Sequence, residues 1–138
     1  MTLVQFHLAA VSFWFGVLAA ETVLELSPRN AGERRLVAVA HAWIDRLFEL
    51  PTVIAVLISG ALLLARAWPA SPLLLVKVGA GLVAVIANLV CIPLVHARCR
   101  ATEDVRVCAL ARQVRMTGLA IPFGIAALVI GLGLLPGH

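Results

Sequence analysis

The sequence predicts an all-α fold: an integral membrane four-helix bundle forming a single transmembrane domain over residues 1–138, with both termini outside. Three observations lead there. The chain is 62% apolar and only 13% charged, with a mean hydropathy of +1.05. A soluble domain is about 45–50% apolar and roughly 25% charged, so a soluble enzyme, a DNA-binding module and a disordered tail are excluded. Residues 3–20, 50–65, 78–95 and 116–137 carry no formal charge, and ~20 helical residues cross a hydrocarbon core of ~30 Å. Finally, Arg29, Arg34, Arg35, Arg46, Arg98, Arg100, Arg106, Arg112 and Arg115 flank the first and third loops, against Arg66 and Lys77 on the other side. The positive-inside rule puts those two loops in the cytoplasm, which also explains the net charge of +4 without nucleic acid.

The elements follow in order as helices over about 3–26, 33–67, 73–97 and 101–135. Strands are excluded because nothing alternates and lipid offers no partner for an open edge. The first helix lacks a basic leader region and ends in Glu21 and Glu25, so it reads as a span and not as a signal peptide. Residues 27–32 and 68–72 hold the Pro, Gly, Asn and Ser that mark turns. Residues 101–115 keep helical spacing and extend the fourth helix inward. Cys91, Cys99 and Cys108 cannot all pair and show no metal-site spacing, so reduced thiols are expected.

Ionisable residues within the spans are costly, ~2.5–3.5 kcal/mol or more at the bilayer centre, and they fall into two sets. His7 and Lys77 lie at similar depth near the outer side. Glu21, Glu25, His41, Asp45, Glu49 and His96 lie near the inner side. At ~100° per residue, His7, Trp14, Glu21 and Glu25 share one face within about 40°. His41, Asp45 and Glu49 recur every fourth residue, a face that Thr52 and Ser59 continue, and Lys77 and Asn88 fall about 20° apart. Three polar stripes should converge inside the bundle, where helical bundles build cofactor and metal sites. Plainer roles compete: snorkelling for His7 and Lys77, ion pairs of the inner carboxylates with Arg46, Arg98 or Arg100, interhelical hydrogen bonding for Asn88, and an interfacial position for His96. A buried structural histidine at position 7 would need a hydrogen-bond partner, and a protonated Lys77 is a poor one.

The run His7-Leu-Ala-Ala-Val-Ser-Phe-Trp14-Phe-Gly16 resembles the first helix of the HemJ-type protoporphyrinogen oxidases, with histidine and tryptophan seven positions apart. Pro51-Thr-Val-Ile-Ala-Val-Leu-Ile-Ser-Gly60 is similar to that family's second helix, and Leu74-Leu75-Val76-Lys77-Val78 to its third. Residues 115–122 are loosely similar to the start of its last helix. The resemblance implies b-type haem, with His7 as axial ligand, Lys77 as second ligand or close partner, and Trp14 and Asn88 beside the cofactor. The chain departs from the family after the first helix, where it has Glu21-Thr22-Val23-Leu24-Glu25-Leu26. It also has no tyrosine, and Asn88 stands where the family's later third-helix histidines fall.

Two kinds of function are therefore expected. The first is a haem b redox or electron-transfer protein, a membrane oxidoreductase working with a quinone or another membrane redox partner. The second is a metal-binding or metal-transport protein in which Glu21, Glu25, His41, Asp45, Glu49 and His96 supply oxygen and nitrogen ligands for non-haem iron, manganese or zinc. A small accessory subunit without chemistry is the remaining case. The expected surroundings are the lipid bilayer, a bacterial inner membrane, no nucleic acid, and a second copy of the chain in a homo-oligomer.

Overall fold

The computed structural model describes residues 1–134, and within them the chain is helical apart from short connections. Helix α1 spans Leu3–Leu26, α2 Ala31–Arg66, α3 Pro72–Arg100 and α4 Asp104–Gly133, and all four are long and apolar enough to cross a membrane. These bounds match the predicted helices within about three residues at the ends that can be compared. The end predicted at residue 135 and the C-terminal His138 lie outside the described residues.

Local chemistry sets the helix starts. The Thr2 hydroxyl accepts the Gln5 N–H at 3.2 Å while the Gln5 side chain accepts the Thr2 N–H at 2.9 Å, a reciprocal cap. Asn30 Oδ1 accepts the Glu33 N–H at 2.9 Å to start α2. Ser71 caps α3 through the Leu74 N–H at 3.2 Å, and Pro72 follows where a missing N–H is harmless. Arg35 then ties α2 to the α3–α4 connection, bonding the Ala101 carbonyl at 3.2 Å and Asp104 at 2.7 Å. As expected, helix resumes ahead of the uncharged part of the fourth span, at Asp104, and runs on into it.

Two helices depart from regular geometry. In α2, Asp45–Glu49 forms a π-turn, with the Leu50 N–H bonded to the Asp45 carbonyl. Pro51 follows at once; it has no N–H, and its ring crowds the preceding turn. An α-helix carries each i+4 residue about 40° round its axis, and the wider π-turn takes back part of that drift. The result is that His41, Asp45 and Glu49 all point inward, and all three are buried. In α4, Gly118–Ala120 tightens into a 3₁₀ turn just before Pro122, so the fourth span is not one uniform helix.

The helices pack in chain order, α1 on α2, α2 on α3 and α3 on α4, while α1 and α4 meet only narrowly. One such meeting is at Gly124, where a Cβ would stand 2.9 Å from Phe15 Cζ; glycine lets that ring close the outer part of the gap. An apolar layer of Trp14, Val53, Ala84 and Val85 crosses the bundle, and another of Cys91, Val95 and Val114 lies nearer the α4 start. Outside, Val23, Leu36, Ile58, Val76 and Leu119 are each more than half exposed, while Glu21, Glu25, His41, Asp45, Glu49 and Arg98 are buried. Polar residues inside and apolar residues outside suit a chain dissolved in lipid.

Candidate functional site

Beyond the Trp14 layer, α1 and α2 bring five of the six predicted inner residues together. The short 27–30 connection turns the chain back so that His41 faces the end of α1. His41 Nδ1 lies 2.6 Å from Glu25 Oε1. Only a donor can make that contact with a carboxylate, so Nδ1 carries a proton, and in the neutral ring this leaves the lone pair on Nε2. Glu25 is itself held by Arg98 of α3, whose Nη1 lies 2.7 Å from Oε2 and Nη2 2.5 Å from Oε1. This is a bidentate pair between a fully buried guanidinium and a carboxylate. Arg98 thus fixes Glu25, and Glu25 fixes the tautomer and direction of His41.

Nε2 of His41 faces Glu21 Oε1 at 3.6 Å and Asp45 Oδ1 at 3.5 Å. Both distances are too long for hydrogen bonds, and a charge-assisted contact with an imidazolium would close to about 2.7–2.9 Å. No N–H donor reaches Glu21 Oε1 or either Asp45 oxygen, although all are buried, and their hydrogen-bonding neighbour is the Glu49 carboxyl. The ligand atoms of Glu21, His41 and Asp45 lie within 4.8 Å of one another. Metal–ligand bonds of about 2.0–2.2 Å place tetrahedral ligands about 3.4 Å apart, close to the two measured separations. One imidazole lone pair and two carboxylates, with the far side of the imidazole held by a carboxylate, form a donor set for a divalent cation.

Glu49 completes the acidic chamber. It is fully buried, neighbours both Glu21 and Asp45, and accepts a hydrogen bond from the Asn88 amide of α3. Asn88 therefore belongs with the inner carboxylates and not beside Lys77, because it lies nearly three turns further along α3 and meets the α2 π-turn. His96 stands apart from the chamber: it is half-buried, with Nδ1 bonded to the Ile92 carbonyl of its own helix at 2.9 Å. Of the three arginines considered as partners of the inner acids, Arg98 takes that role, while Arg46 and Arg100 are exposed.

At the other end, the hydrogen-bond partner that a structural His7 needs is supplied by Ser59 and not by Lys77. His7 Nδ1 lies 2.8 Å from Ser59 Oγ, and that hydroxyl also reaches the Ala55 carbonyl at 2.6 Å. With the hydroxyl donating to Ala55, His7 donates from Nδ1 and keeps a lone pair on Nε2. Gly60 makes room for the ring, since a Cβ there would lie 3.2 Å from Cε1. Lys77 is near enough for its charge to act on His7, but its Nζ rests against Gly131 of α4, 2.8 Å from where a Cβ would be. The cleft that reaches the inner chamber includes neither residue. A lone pair on His7 Nε2 suits an axial ligand. Trp14 sits in the apolar layer between the two ends, with its indole N–H unpartnered.

No family model, curated protein or solved structure matches this chain.

Sequence spacing anticipated the convergence of Glu21, Glu25, His41, Asp45 and Glu49. It missed the role of the α2 π-turn, for which Pro51 was the available signal, and it missed Ser59 as the His7 partner. It also gave no sign of the cleft walls at Ala87 and Thr117, which depend on how α1 and α4 separate.

Proposed function

We propose that this chain is an integral membrane protein that binds a divalent first-row metal ion through Glu21, His41 and Asp45. The observation that carries the proposal is His41 Nε2 facing buried oxygens of Glu21 and Asp45 across gaps of 3.6 and 3.5 Å, with a hydrogen bond to neither. A cation between them removes the repulsion that otherwise works against this arrangement. Oxygen and imidazole ligands suit manganese, iron or zinc, and three protein ligands leave coordination positions open for water or substrate.

Purified wild-type protein, dialysed against one equivalent of Mn²⁺ or Zn²⁺, is expected to retain close to one ion per chain by elemental analysis. Retention of no ion above that of a Glu21→Gln/Asp45→Asn variant contradicts the proposal. The same sample distinguishes the haem reading, which His7 supports through its free Nε2. Red protein with a Soret band that His7→Ala removes would assign the chemistry to the outer end, as in the HemJ-type oxidases it resembles.

Orientation belongs to the same proposal. Nine basic residues flank the first and third loops and two lie opposite, which supports a metal chamber near the cytoplasmic face. Cys99 and Cys108 are exposed near the α3–α4 connection. In intact cells they are expected to react with a membrane-permeant maleimide and not with an impermeant one. Equal labelling by both reagents reverses the orientation.

A further inference from the structure

The inner chamber is not sealed. A cleft of about 270 Å³ runs from it between α1 and α4, on the inner side of the Phe15–Gly124 contact. Its walls are mainly apolar, with Leu18, Ala84, Ala87, Val114 and Ile121 among them, and exposed Leu26 and Leu119 stand at its edge. Glu21, Glu49 and Asn88 also line it, whereas Asp45 does not. A hydrated metal ion gains nothing from apolar walls, so the cleft asks for an occupant with an apolar body.

The polar end of that occupant is set by the atoms waiting for it. Glu21 Oε1, Glu49 Oε2 and Asn88 Oδ1 are buried without hydrogen-bond partners, in side chains that are 4%, 0% and 6% exposed. All three are oxygens, so they call for N–H or O–H donors. Among the described residues, the buried carboxylates Glu21, Glu25, Asp45 and Glu49 face one buried guanidinium, Arg98. Arg115 also borders the cleft, but on its exposed side. Glu25 is paired with Arg98, and Glu21 and Asp45 with the ion, so Glu49 is the buried acid left for a cationic donor.

We propose that this cleft binds a primary ammonium carried on a short apolar chain, with the ammonium between Glu49 and Asn88 and its chain against Ala87 and Ile121. The proposal rests on the metal reading only in assigning Glu21 to the ion. Without metal, Glu21 becomes a third acceptor for the ammonium. With the ion bound, two N–H donors of such a head meet Glu49 Oε2 and Asn88 Oδ1, without it the third meets Glu21 Oε1, and the apolar walls take the alkyl chain away from water.

The test uses full-length protein in nanodiscs of zwitterionic lipid, with empty nanodiscs as the blank, and titrates hexylammonium and hexan-1-ol by calorimetry. Hexylammonium is expected to bind at least tenfold more tightly than the alcohol, with and without added Zn²⁺. Asn88→Leu and the cleft-filling Ala87→Trp are each expected to weaken it at least tenfold, and Ala87→Trp, which removes no ligand of the ion, should keep the metal content of wild type. Should Asn88→Leu fail to fold, Ala87→Trp decides. Equal binding of alcohol and ammonium, or no effect of Ala87→Trp, overturns the proposal and leaves the cleft a lipid-filled gap. A wild type that binds hexylammonium selectively but retains no metal overturns the metal reading alone.

Discussion

Arg98→Met is expected to destabilise the protein by about 3–5 kcal/mol, the usual cost of removing one partner of a buried ion pair. Arg98 is fully buried and holds both Glu25 oxygens, so its loss strands a carboxylate among other carboxylates. The measurement is the thermal or denaturant midpoint in detergent. The double variant Arg98→Met/Glu25→Gln is expected to recover a large part of the loss, because the glutamine is uncharged and its carbonyl can still accept the His41 Nδ1–H. A single variant as stable as wild type would mean that Glu25 has other partners.

The second large effect concerns binding. His41→Ala removes the nitrogen ligand and is expected to lower Zn²⁺ affinity at least about 100-fold. Glu25→Gln, which acts on His41 and not on the ion, is expected to cost about 10–100-fold, as for other groups that orient a metal-bound imidazole. His96→Ala, bonded only to its own helix, is expected to change nothing. Competition with a chelating dye reads all three. Loss of affinity in His96→Ala comparable to that in His41→Ala would move the site toward α3.

Much of this was legible in the sequence because lipid makes polar residues conspicuous. An uncharged run of about 20 residues announces a helix, and an acid or histidine beside it must face inward. Hence the four helices, the α1 stripe of Trp14, Glu21 and Glu25, and the fourfold spacing of His41, Asp45 and Glu49 could all be read before the structure. Distances between helices could not. Asn88 sits at the same helical angle as Lys77, and angle alone grouped the two; depth along the axis pairs Asn88 with Glu49 instead. His96 follows the same rule in reverse, close in sequence to Arg98 yet turned to its own backbone. The Ser59 contact with His7 joins residues 52 apart, and no local pattern marks it. The cleft depends on α1 and α4 parting below Phe15, a matter of packing to which periodicity is blind.

The central claim is that one imidazole and two carboxylates share an ion inside the bundle. X-ray absorption on the Zn²⁺-loaded protein tests it most directly. The expected spectrum has a first shell of oxygen and nitrogen at about 2.0–2.2 Å, fitted with a single imidazole and no sulfur. Asp45→Asn is expected to lose that shell or the ion itself. A shell with two or more imidazoles, with sulfur, or unchanged in both Asp45→Asn and His41→Ala would contradict the account.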